Sequence, residues 1–155
     1  MSNPLEEKLK SFMQAKGIRG EHRVFSQSCH SVAEAAAAVG GTPADFVKNV
    51  CLVDETARFI IAIVKGEDRA STGRVAQALG VQKVRTASPA EVLERTGYPA
   101  GGTPSFGYEA IFLIDPKVME KEMVYSGGGS ENSLVFIDPR ELHQANHGQI
   151  VRIRK

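Results

Sequence analysis

The chain has 155 residues, 42% of them apolar, a formal net charge of +1 and two cysteines. That length can bury a core without metal or disulfide staples, and it predicts one domain over residues 1–155. Near-neutrality excludes a broad footprint on nucleic-acid phosphates, which needs a strongly basic face, but allows contact with the tip of an RNA. No apolar run has the length of a bilayer span, and the early Glu6, Glu7 and Lys8 do not read as a leader. Cys29 and Cys51 form no CxxC pair, so a reduced, cytoplasmic protein without a membrane partner is expected.

Residues 5–16 read as a helix with Leu5, Leu9, Phe12 and Met13 on one face, stopped by Gly17. Residues 22–26 form a short strand around Val24 and Phe25. Ser31 and Glu34 have capping-box spacing and open an Ala-rich helix that Gly40 and Gly41 close. One more helical turn, from Thr42 and Pro43, leads into Lys48. Residues 47–53 and 58–64 are β-branched apolar runs separated by Asp54, Glu55, Thr56 and Ala57. They predict a hairpin whose strands are both central.

Ser71 caps a helix running to Leu79, and residues 81–85 are a short strand. Ser88, Pro89 and Glu91 supply a cap, a proline at the first helical position and a glutamate at the third, so a helix runs from there to Gly97. Strands follow at 109–114, 122–125 and 133–137, with a single helical turn after Asp115 and Pro116. Asp138 and Pro139 start a last helix ending near Gly148, and residues 150–154 read as an edge strand. The fold class is α+β: a curved, barrel-like mixed sheet of about seven strands with helices packed outside.

Two turns stand apart from these elements. Residues 97–107 hold four glycines and two prolines, and residues 125–130 hold three glycines in a row. The first is not compatible with a regular helix or strand, and such turns suit places where bare backbone approaches a ligand that needs N–H donors. The side-chain chemistry is sparse by comparison. Cys29 and His30 are adjacent, so in extended chain they point to opposite faces and make a poor dyad. Cys51, in the most apolar strand, reads as a small core residue. His143 and His147 stand four apart without the glutamate of the zinc-protease pattern, and cations suit a helix C-terminus, so no metal is expected. There is no G-x-S-x-G elbow, and no Lys-Ser/Thr follows either glycine turn, so neither a serine hydrolase nor a phosphate-binding loop is indicated and no cofactor is expected. What remains is Lys48 and many backbone amides. A lysine at a strand end also has a plain structural use, blocking edge pairing.

In chain order, four stretches resemble the YbaK/ProX family of editing deacylases, related to the insertion domain of bacterial prolyl-tRNA synthetase. They are Lys48-Asn49 ahead of Val50-Cys51-Leu52-Val53, the glycine turn 97–107, Ser126-Gly127-Gly128, and Asp138-Pro139-Arg140-Glu141-Leu142. The likeness spans Phe25 to Leu142. It implies a sheet of barrel-like curvature and hydrolysis of the ester joining a wrong amino acid to tRNA. Lys48 would hold the terminal adenosine and its phosphate, with Gly101 and Gly102 completing the catalytic set. Thr103, Pro104, Ser105, Phe106 and Gly107 would line the aminoacyl pocket. Phe25, Asn49, Ser126, Gly127 and Gly128 would complete its walls. Asn49 stands where Thr or Ser is common, and Ser105 where many members carry a second proline. Alanine, cysteine and serine, on a proline-type or similar tRNA, are the class of mischarged residue implied. The partners implied are the acceptor end of mischarged tRNA and a synthetase.

The inventory suffices for that reaction because an aminoacyl ester is already activated. Lacking a placed acid or base forgoes about 10²–10⁴ in rate, and each oriented oxyanion donor returns about 10²–10³. Two other readings stay open at this level. One is a module that binds a tRNA end or a synthetase without cleavage, and the other is a Schiff-base enzyme built on a desolvated Lys48.

Overall fold

The computed structural model describes residues 3–155. Helix α1 (Pro4–Lys16) starts where Asn3 Oδ1 accepts from the Leu5 and Glu6 amides, and it ends at Gly17 in the left-handed conformation. Strand β1 (Gly20–Val24), helix α2 (Val32–Val39) and a 3₁₀ turn (Pro43–Asp45) lead to the hairpin β2 (Val47–Asp54) and β3 (Phe59–Lys65). Helix α3 (Thr72–Leu79), strand β4 (Val84–Thr86) and helix α4 (Pro89–Thr96) come next, followed by a second 3₁₀ turn (Ala100–Gly102). The chain finishes with β5 (Ile111–Ile114), α5 (Pro116–Met119), β6 (Val124–Gly127), β7 (Ser133–Ile137), α6 (Pro139–Asn146) and β8 (Gln149–Ile150).

The predicted single sheet is two. One runs β1-β7-β6 and the other β4-β2-β3-β5-β8, so the strands number eight among the described residues. A lone parallel bridge between Phe46 and Tyr125 joins them at a corner. Beyond that bridge the two backbones no longer pair. Asn49 on β2 reaches Ser126 on β6 through its side chain instead, Nδ2 to Oγ at 3.3 Å. A cleft therefore opens where a continuous ladder would have closed it.

Strand β3 is the centre of the larger sheet, antiparallel to β2 and parallel to β5. Its alternation divides the core: Phe59, Ile61 and Ile63 pack with Leu9, Tyr98 and Phe106, while Ile60, Ala62 and Val64 pack with Val75, Leu113 and Ile153. A strand buried on both faces reads as one unbroken apolar run, as this one does.

Several ends differ from the expected ones. Strand β6 extends through Ser126 and Gly127, so those residues belong to a strand and only Gly128 onward turns. The turn of the hairpin lies at residues 55–58, because Asp54 stays in β2 and its carboxylate accepts from the Thr56 and Arg58 amides, Thr56 Oγ1 and Arg58 Nε. The C-terminal edge strand is only two residues long. After it, the Asp115 carboxylate takes the Ile153 and Arg154 amides and Arg154 Nη1, while Arg154 makes a lone antiparallel bridge with Ala70. No helix among the described residues is long and apolar enough to cross a membrane.

Candidate functional site

At the corner between the sheets lies an open hollow of about 200 Å³. Its walls come from distant parts of the chain: Lys48 and Asn49 of β2, Gly101 and Thr103 of the first glycine turn, and Ser126 and Gly127 of β6. Gly127 is required there because a Cβ would overlap the Thr103 carbonyl, so the end of β6 and the first glycine turn touch backbone to backbone. Lys48 Nζ donates to Asp68 O at 2.8 Å, which fixes the ammonium and leaves it two further N–H donors. The Gly101 amide belongs to the first residues of a 3₁₀ turn, whose amides have no acceptor inside the turn.

Beneath the hollow sits a buried polar ring. Asn49 Nδ2 donates to Thr103 O at 2.9 Å, and Ser105 Oγ donates to Asn49 Oδ1 at 2.7 Å. Ser105 Oγ also lies 2.6 Å from Ser126 Oγ. The two positions where the sequence leaves the family pattern, Asn49 and Ser105, are thus hydrogen-bonded to each other.

Other expected site residues stand elsewhere. Gly102 is not a free donor: its N–H goes to Pro99 O at 2.9 Å, and its carbonyl accepts from Gly129 at 2.8 Å. It holds the two turns together, and a Cβ there would strike the Ser130 backbone. Gly128 is used similarly, its amide donating to Ser133 O and its carbonyl accepting from His22 Nε2. Phe106 is fully buried and stacks on Phe12 in the main core, while Gly107, at φ 98°, faces Phe12 and Leu9. The buried Pro104 gives its carbonyl to the Tyr108 hydroxyl. Ser105 is wholly buried behind the wall. Phe25 packs with Cys29, Phe46 and Leu134 rather than lining the hollow.

The sequence reading left His30, among other lining residues, out of the site. His30 stands at the rim, Nδ1 3.4 Å from Glu131 Oε1, with its ring where a Cβ on Gly101 would be. Its neighbour Cys29 also lines the hollow, but burial, followed by the nearby Glu34, pushes its thiol up, which disfavours a thiolate. Burial likewise pushes Cys51 to about 12. In the sequence His30 stands out only beside Cys29, whereas its companions in space lie 71 and 101 residues downstream at Gly101 and Glu131. His143 Nε2 donates to Gly148 O, and among the described residues no three His, Cys, Asp or Glu side chains cluster in a way that could hold a metal.

Comparison with known proteins agrees with this architecture. The crystal structure of hypothetical protein APE2540 superposes with a TM-score of 0.89 at 29% identity, covering 96% of this chain and 99% of that one. The structure of a candidate trans-editing enzyme for prolyl tRNA synthetase gives a TM-score of 0.91 at 25% identity, covering 100% and 99%. Protein YwhH of Bacillus subtilis (strain 168) is 27% identical over 128 residues, 81% of each chain. The sequence profile of the aminoacyl-tRNA editing domain matches residues 26–145, which include every wall of the hollow, and the chain belongs to that family.

Proposed function

We propose that the hollow is where the ester of a mischarged aminoacyl-tRNA is hydrolysed, the acyl group being small, of the alanine, cysteine or serine class. The observation that carries this reading is the convergence of Lys48, Gly101 and Gly127 on one cavity of about 200 Å³. That volume lies below the roughly 300–1,000 Å³ of sites that enclose drug-sized ligands. It suits a small acyl group and the edge of a ribose, with the rest of the nucleotide outside. Lys48 would pair with a terminal phosphate as a compact cation, while the Gly101 amide would donate to the carbonyl oxygen as charge develops there. Selection by size is what an editing site adds, because a synthetase discriminates by only about 10–200-fold per methylene. The candidate trans-editing enzyme for prolyl tRNA synthetase shares this fold, which favours a proline-type tRNA as substrate and a synthetase as the agent that presents it.

The test is a panel of tRNAs charged with alanine, cysteine, serine and proline, scored for ester half-life with purified protein. Acceleration confined to the small mischarged residues is expected. Lys48→Ala should lose at least tenfold in deacylation with little change in melting temperature, since Lys48 is a half-buried strand residue bound to a carbonyl rather than a core group. Full activity in that variant would overturn the assignment. A module that binds without cleaving would leave every half-life unchanged.

A further inference from the structure

The buried ring beneath the hollow has only one arrangement of protons. The Thr103 carbonyl can only accept, so the Asn49 atom facing it at 2.9 Å must be Nδ2. The Oδ1 atom then faces Ser105 and can only accept, which commits the single Ser105 proton to it at 2.7 Å. The 2.6 Å contact between Ser105 Oγ and Ser126 Oγ must therefore carry the Ser126 proton toward Ser105. Ser126 Oγ in turn accepts from Asn49 Nδ2 at 3.3 Å, closing the circuit. Both serines are almost fully buried, so exchange with water does not relax this order.

Ser126 lines the hollow, as do Asn49 and Thr103, whereas Ser105 does not. Its donor is spent inward, so it offers the cavity a lone pair and nothing else. Thr103 O, with one lone pair taken by Asn49, is likewise an acceptor. The opposite polarity belongs to Lys48 Nζ and the Gly101 amide. Among the lining residues, Lys48 and Gly101 thus bring donors, and Ser126 and Thr103 bring acceptors.

We infer that the acceptor pair, Ser126 Oγ with Thr103 O, recognises the free α-amino group of the acyl moiety. This rests on the reading of the hollow as an acyl-adenosine site. An amino group is the one donor shared by alanyl, cysteinyl and seryl esters, whereas the carbonyl to be attacked needs donors and belongs with the Gly101 amide. Ser105 and Asn49 act through Ser126: they are positioning residues that hold its hydroxyl proton away from the substrate.

The test uses two stable amides, 3′-alanylamino-3′-deoxyadenosine and 3′-propionylamino-3′-deoxyadenosine, which differ only in the amino group. Binding to the full chain is measured by calorimetry or by NMR titration. The alanyl compound is expected to bind about tenfold tighter, the scale of one hydrogen bond lost with its partner left wanting. In Ser126→Ala that difference should fall to about twofold or less. Equal binding of the two compounds to the unaltered protein overturns the inference while leaving the acyl-adenosine reading intact. Failure of both to bind overturns the reading itself and this inference with it.

Discussion

Gly101 and Gly127 both line the hollow, yet a methyl group at each would meet different things. At Gly127 it would enter the Thr103 backbone, with Gly102 backbone also close, and neither can swing aside. At Gly101 it would enter the imidazole of His30, an exposed side chain that can rotate away. Overpacking against backbone costs about 1–3 kcal/mol or more, while a surface rearrangement usually stays within about 0.5 kcal/mol. Gly127→Ala should therefore lower the melting temperature by several degrees, at roughly 2–4 °C per kcal/mol for a chain of this size. Gly101→Ala should leave it within about 2 °C. Deacylation should fall in both, in the first because the wall shifts and in the second because a methyl is added beside the amide proposed to donate to the ester carbonyl. Thermal melts beside ester half-lives check this, and a Gly101→Ala protein as unstable as Gly127→Ala would contradict it. The same comparison shows why the site was only partly legible in the sequence. Lys48, Gly101 and Gly127 stand out as residue types in unusual runs. The role of Ser105 depends on partners 56 residues before it and 21 after it, and no local pattern encodes those contacts.

Helix α4 delivers the chain into the first glycine turn, and its start is built from local signals that the sequence displays openly. Ser88 Oγ accepts from the Glu91 amide, and the Glu91 carboxylate accepts from the Ser88 amide. Arg85 on β4 adds a two-pronged contact to the same carboxylate. Caps of this kind made the helices readable in advance, since each depends on residues within one turn. Strand ends and the division into two sheets were harder, because a strand's limits are set by partners far along the chain. Asp115 takes the Ile153 amide from 38 residues away. The hydrogen bond from Arg85, then that from the Ser88 amide, hold the Glu91 carboxyl down at about 2, against an ordinary 4.5. A depressed carboxylate stabilises the fold above its unfolded value and loses that contribution as pH falls through the folded one. The stability gap between the unaltered protein and Glu91→Gln should thus be constant from pH 7 to about 5 and shrink between about 4.5 and 2. Melting curves across that range, at low salt, decide it. A gap that persists at pH 2 would show that the carboxylate charge is not what holds this helix start.

On the scale of the whole molecule, the charge pattern fixes how the protein can meet an RNA. With 19 Lys and Arg against 18 Asp and Glu, little positive charge is left over. Much of what exists is engaged internally: Lys65 with Glu67, Lys121 with Asp45, Arg85 with Glu91, and Arg154 with Asp115. Lys48 is different, since it lines the hollow and its ammonium is bonded to the neutral Asp68 carbonyl rather than to a carboxylate. Affinity for a tRNA end should therefore come from one or two phosphates and from the cavity, not from a basic surface. Each phosphate neutralised on a single strand adds about 0.7 to the steepness of log K against log salt. An aminoacyl-RNA minihelix, or its stable amide analogue, should bind with a slope between about −0.7 and −1.5. Lys48→Ala should flatten that slope by about 0.7, while a substitution at Arg85, which is paired with Glu91, should leave it unchanged. Titrations from 50 to 300 mM salt would measure it. A slope steeper than about −4 would demand a phosphate-binding face that these paired charges do not provide, and would move the RNA contact away from the hollow.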